Sequence, residues 1–191
     1  LISEGRPIIN MGIGSPDLAP PLDAVAELKS VLFEPSAHQY QSYQELPELR
    51  EAMTSFYRER FGVQLDSKTE ILPLIGSKEG IMHISMAFLN VVVAVLIPNP
   101  GYPTYTAVTK FVGAEAMLYD LLEENHWLPN LAELEKKDLS KVKLMWISYP
   151  NMPTGATITA AAMKALVAFA KKHEILLVND NPYSFVLNQN P

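Results

Sequence analysis

The chain has 191 residues, 48% of them hydrophobic and 19% charged, with a formal net charge of -6 and a pI near 5.2. This is globular composition with enough apolar residues for a sizeable core, and its acidity argues against a general nucleic-acid binder. Cysteine is absent, which excludes disulfides and thiolate metal sites, and the longest apolar run, Val91 to Ile97, is too short to span a bilayer as a helix.

In chain order, the first signals are an extended stretch from Pro7 to Ile13 and a helix from about Leu22 to Phe33. A tyrosine-rich loop follows, then an amphipathic helix from Pro47 to Phe61 closed by Gly62. From about residue 70 onward, extended and helical signals alternate. Glu70 to Leu74 reads as a short strand, and Ser77 as the cap of a helix running to about Leu89. Val91 to Ile97 is a continuous apolar, β-branched run of the kind buried in a parallel sheet. Pro103 starts a helix that Gly113 ends. Further strands are expected at Glu115 to Tyr119, Lys143 to Ser148 and Ile175 to Asn179, and helices at Asn130 to Lys137 and Thr159 to His173. The alternation predicts an α/β fold: a mainly parallel sheet flanked by helices, with right-handed crossovers.

Ligands of open α/β sheets sit beyond the carboxyl ends of the strands, so the loops there are the places to seek chemistry. Gly76-Ser77-Lys78 precedes a helix whose free N–H groups favour a phosphate, although Ser77 could equally act only as a cap. Tyr102, between Pro100-Gly101 and Pro103, could stack on a planar ligand or simply pack its loop. Asp180 ends an apolar strand and needs a cationic partner to stay ionised; the competing reading is a turn aspartate in Asp180-Asn181-Pro182. Tyr183 stands three residues later. His38, His83, His126 and His173 have no metal-ligand spacing, so no metal site is expected, and no Gly-x-Gly-x-x-Gly follows a strand.

These loops, with Gly12-Ile13-Gly14-Ser15-Pro16-Asp17 near the start and Pro47-Glu48-Leu49-Arg50, resemble the class I/II aminotransferases of pyridoxal 5'-phosphate (PLP) fold type I, in the family's order and across nearly the whole chain. The closest likeness is to the branch containing the LL-diaminopimelate aminotransferases. The resemblance implies roles for several residues. Gly76, Ser77 and Lys78 hold the cofactor phosphate, and Tyr40 reaches the phosphate of a partner subunit. Tyr102 stacks on the ring, Asp180 meets the pyridine nitrogen, and Tyr183 bonds the ring's 3-oxygen. Gly14 receives the substrate carboxylate. It also implies a PLP cofactor, amino-acid and 2-oxo-acid substrates and a homodimer; the acidic balance, the short apolar run and the lack of a visible secretion signal make a cytoplasmic protein without nucleic-acid or membrane partners the expectation. Residues 1–35 are expected to belong to a small domain or arm, and 36–191 to the PLP-binding large domain.

Three departures stand out. Met152 replaces the first asparagine of the family's Asn-Pro-Thr-Gly, with Asn151 adjacent. The turn before the strand, usually a Gly-Asp pair, reads Val91-Val92-Val93-Ala94, and Glu45 stands where glycine is common. The Schiff-base lysine has no counterpart, since no lysine from Lys29 to Lys172 has the required context. Together with the opening at Leu1 and the close at Pro191, this makes the chain read as an N-terminal half, inactive alone and with both ends cut, whose catalytic residue is unknown. Elimination, decarboxylation or a non-catalytic PLP-binding module are the alternatives on the same fold.

Overall fold

The computed structural model describes Gly5, Gly14 and residues 18–187, so the expected extended stretch from Pro7 to Ile13 lies outside the described residues. The chain divides into two compact units, Leu1–Pro73 and Leu74–Pro191.

The first unit holds helix α1 (Leu22–Val31), a 3-10 turn (Pro35–His38) and helix α2 (Pro47–Phe61). Helix α1 ends two residues before the expected Phe33. Helix α2 has the expected bounds. Pro47 occupies its first turn, where no N–H is needed, and Gly62 closes it at φ 66°, a left-handed conformation that glycine adopts without strain. Arg50 is buried on this helix, and its guanidinium ties the preceding loop to the following one through Gln44 Oε1 (3.3 Å) and the Ser67 carbonyl (3.2 Å). Glu45 sits at φ 61°, which explains a preference for glycine there; the glutamate bears a backbone strain of about 1 kcal/mol.

The second unit is a four-stranded, wholly parallel sheet in the order β2-β1-β3-β4, with β1 Ala94–Asn99, β2 Glu115–Asp120, β3 Val142–Ile147 and β4 Leu176–Asn179. Its helices are α3 (Ser77–Phe88), α4 (Pro103–Phe111), α5 (Leu131–Leu134), α6 (Ala160–Lys172) and α7 (Ser184–Leu187). The central strands β1 and β3 are buried along almost their full length, as expected of strands covered on both faces. Side chains alternate across the sheet. Leu96, Met145 and Ile147 pack on one face with Leu134 of α5 and Leu166, Phe169 and Ala170 of α6. Val95, Ile97, Leu144 and Trp146 pack on the other with Ile81 of α3 and Tyr105 and Val108 of α4.

Four local expectations are corrected. Glu70 to Leu74 forms no strand, and Pro73 within it has no N–H for a ladder. Ser77 is not the helix cap. Gly76 holds that position, and Ser77 is the first helical residue. The helix expected over Asn130 to Lys137 is one turn, Leu131–Leu134, capped by Asn130 and tightened by three-residue bonds from Lys136 to Glu133 and Lys137 to Leu134. The strand expected from Val91 begins at Ala94, because Asn90 builds a turn: its side-chain oxygen accepts from the Val92 N–H at 2.9 Å and its carbonyl from Val93 at 3.4 Å.

The same turn accounts for the valines that replace Gly-Asp, because Asn90 supplies the turn chemistry from the preceding position. Val91 leans on Gly113, where an added Cβ would come 2.8 Å from Val91 Cγ1 and where φ is 84°. Gly113→Ala is therefore expected to destabilise the protein by about 1–3 kcal/mol, from overpacking and left-handed strain together. Urea unfolding of this variant with and without Val91→Ala separates the two: the second change should recover only the packing part.

Candidate functional site

The order β2-β1-β3-β4 has its switch point between β1 and β3, where one connection leads back to β2 and the next leads on to β4. A crevice opens there at the strands' carboxyl ends. A cavity of about 170 Å³ lies in the second unit, lined by Ser77, Tyr102, Tyr105, Ser148, Met152, Asp180, Pro182 and Tyr183. Each lining segment follows an element that aims it. Tyr102 and Tyr105 come from the end of β1 and the first turn of α4, Ser148 and Met152 from the end of β3, and Asp180 to Tyr183 from the end of β4. The β1 loop needs Gly101, since a Cβ there would sit 2.5 Å from the Pro98 carbonyl oxygen.

Asp180 is fixed twice. Its N–H donates to the Ile147 carbonyl at 2.9 Å, which carries the sheet one residue beyond β4 and sets it beside Ser148. Its Oδ2 accepts from the Tyr105 hydroxyl at 2.8 Å. Tyr105 is in turn held by stacking on Trp146, with ring centroids 5.0 Å apart and planes 7° from parallel, and it meets Tyr102 edge-on at 5.7 Å. The Lys78 Nζ stands 5.9 Å from the Tyr102 ring centroid. The Thr104 hydroxyl foremost, and then Lys78, lower the proton affinity of the Tyr102 hydroxyl. Burial, reinforced by its bond to Asp180, raises that of Tyr105, so Tyr105 stays a donor across the working pH range.

Four of the sequence-predicted residues, Ser77, Tyr102, Asp180 and Tyr183, thus line one pocket, with Lys78 over the Tyr102 ring. Gly76 caps α3 in extended backbone. No side-chain cap bond is made at this helix start, so the Ser77 hydroxyl is not spent on capping; instead Glu79 Oε2 takes the Ile75 N–H at 2.7 Å. Gly14 and Tyr40 belong to the first unit and are exposed there. Tyr105 and Ser148 were missed from sequence. The available signals were the three-residue spacing from Tyr102, which puts both tyrosines on one side of the turn, and the position of Ser148 directly after an apolar strand.

Met152 faces the cavity. Asn151 is buried and spent within its own loop: its Oδ1 accepts from Thr154 Oγ1 at 2.7 Å, and its amide donates to the Ser148 carbonyl at 3.4 Å. It therefore does not stand in for the asparagine that Met152 displaces.

Three buried phenols give the fold an alkaline limit. Burial raises Tyr105, Tyr119 and Tyr149 above the ordinary tyrosine range, and Tyr119 and Tyr149 donate to the Trp146 and Trp127 carbonyls at 2.6 and 2.7 Å. Their contribution is complete below the unfolded value of about 10 and is lost as pH rises above it, because only the unfolded chain then releases the protons. Stability followed by denaturant midpoint is expected to stay level to about pH 9 and to fall steeply beyond about pH 10.

A parallel sheet with a pocket at its switch point, lined by a tethered carboxylate, aromatic rings and the start of a helix, is the ligand-binding arrangement of the α/β class. The family model for aminotransferase class I and II matches residues 6–190, and the chain belongs to that family, whose enzymes use pyridoxal 5'-phosphate. It is 43% identical over 182 residues to an LL-diaminopimelate aminotransferase of Dehalococcoides mccartyi, covering 95% of this chain and 47% of that protein. It is 41% identical over 183 residues to that of Aquifex aeolicus, covering 96% and 47%. Among solved structures, substrate-bound BacF from Bacillus subtilis superposes with a TM-score of 0.85 at 40% identity, over 91% of this chain and 44% of that one. Alanine aminotransferase from Pyrococcus furiosus does so at 0.86 and 28% identity, over 94% and 46%. The chain spans about half the length of the curated relatives it matches. No helix among the described residues is long and apolar enough to cross a membrane.

Proposed function

We propose that the switch-point pocket is the PLP cradle of an aminotransferase that moves an amino group between an amino acid and a 2-oxo acid. The observation that carries this is the tethered Asp180. Its Oδ2 is held by Tyr105, and its Oδ1 is left for a ligand. The donor set suits the group. A carboxylate matches a pyridinium nitrogen, Tyr102 offers a ring face, and Ser77 with Lys78 at the start of α3 suits a phosphate.

When bound, PLP supplies an electron sink for the substrate's α-carbon. The chain's own part is to hold and orient. Asp180 keeps a proton on the ring nitrogen. Tyr183 would donate to the ring's 3-oxygen, since Met152, which also lines the pocket, brings no donor of its own. Gly76, Ser77 and Lys78 bind the phosphate, Gly14 the substrate carboxylate, and Tyr40 the phosphate of a second subunit in a cytoplasmic homodimer. Residues 1–35 then form the arm or small-domain segment, and 36–191 the cofactor domain. The named relatives favour LL-diaminopimelate as the amino donor.

The test is made on the full-length protein with PLP, LL-diaminopimelate and 2-oxoglutarate, following glutamate. Glutamate formation that requires the 2-oxo acid supports transamination. Release of ammonia without any acceptor makes the protein a lyase, and absence of both reactions removes the enzymatic reading.

A further inference from the structure

Tyr105 is a fully buried phenol in the pocket wall, and it spends its hydroxyl on a carboxylate. Its ring is clamped between Trp146, stacked at 5.0 Å, and Tyr102, edge-on at 5.7 Å, so the hydroxyl has little freedom to wander. Among the described residues it is the hydrogen-bond donor to the Asp180 side chain. A carboxylate at the end of a strand can turn about its last bond, and only a fixed donor decides which oxygen faces a ligand.

We propose that Tyr105 is a positioning residue: by holding Asp180 Oδ2 it fixes Oδ1 as the free oxygen, and so makes the pocket select rings that carry a protonated nitrogen opposite Asp180. The inference rests on the cofactor reading above. Without the phenol, Oδ2 would lie against aromatic surface with no donor. The carboxylate would turn toward water to recover one, and Oδ1 would leave its line to the ring. The phosphate end of the site, at Ser77 and Lys78, would be untouched.

The test compares the binding of pyridoxal 5'-phosphate with that of its 1-deaza analogue, in which C–H replaces the ring nitrogen. Both are titrated into the chain and into Tyr105→Phe by fluorescence, with inorganic phosphate as a third probe. The chain is expected to prefer pyridoxal phosphate over the deaza analogue by at least about tenfold, and Tyr105→Phe to lose most of that preference while binding inorganic phosphate unchanged. The unchanged phosphate affinity shows that the variant is folded. Tyr105→His keeps a ring donor and is expected to restore part of the preference. If Tyr105→Phe keeps the full preference, Tyr105 does not position Asp180. In that case the buried ring serves only packing against Trp146 and Tyr102. If the unaltered chain binds both compounds equally, the cofactor reading itself falls and takes the inference with it.

Discussion

Asp180→Asn is expected to lower the affinity for pyridoxal 5'-phosphate by about tenfold to a hundredfold while leaving the fold intact. The carboxylate faces the pocket with one oxygen tethered to Tyr105, so its other oxygen can form a charge-assisted bond to a pyridinium nitrogen. Such bonds contribute about 1.5–3 kcal/mol, which corresponds to that range of affinity. Asparagine has nearly the same size, and its carbonyl oxygen can still accept from Tyr105, so the effect reports the lost charge and not a collapsed loop. Equilibrium titration of both proteins with PLP, beside far-ultraviolet circular dichroism, checks it. Undiminished affinity would mean that the ring nitrogen lies elsewhere.

The largest effect on stability is expected from Trp146→Ala, a loss of about 3–5 kcal/mol. Trp146 lies on β3, 1% exposed, where it packs with Val95, Ile97 and Leu144 and carries Tyr105 on its face. Truncation leaves a cavity beneath the pocket floor, and the loss is a large share of the 5–15 kcal/mol typical of whole domains, about a third of it. Trp146→Phe should be much milder: it keeps a ring under Tyr105 and removes an indole N–H that has no hydrogen-bond partner among the described residues. Denaturant midpoints at constant slope measure both. A loss below about 1 kcal/mol for alanine would mean that the core closes over the gap, against the packing described.

Much of this fold was legible in sequence because its central strands are covered on both faces. Val95 to Ile97 and Leu144 to Ile147 read as continuous apolar runs, and Pro103, Gly62 and Gly113 mark helix ends through backbone chemistry that leaves few options. The failures share a cause. Glu70 to Leu74 has strand-like residues, but a strand exists only where a ladder forms, and Pro73 brings no N–H to one. Val91 to Val93 has strand-like residues too, yet Asn90 converts them into a turn by one side-chain bond.

At the site, residues next to a glycine or proline, or at the end of an apolar strand, stood out: Ser77, Tyr102, Asp180 and Tyr183. Tyr105 did not, because a tyrosine in the first turn of a helix looks like ordinary packing until the fold brings Asp180, 75 positions later, against its hydroxyl. Long-range contacts of this kind leave no local trace.

The central claim, a PLP cradle at the β1/β3 switch point, is tested most directly by a crystal structure of the chain grown with pyridoxal 5'-phosphate. The account predicts the ring against Tyr102, its nitrogen within hydrogen-bond reach of Asp180 Oδ1, and its phosphate at the start of α3 beside Ser77. A phosphate bound elsewhere, or a ring whose nitrogen faces away from Asp180, would contradict it.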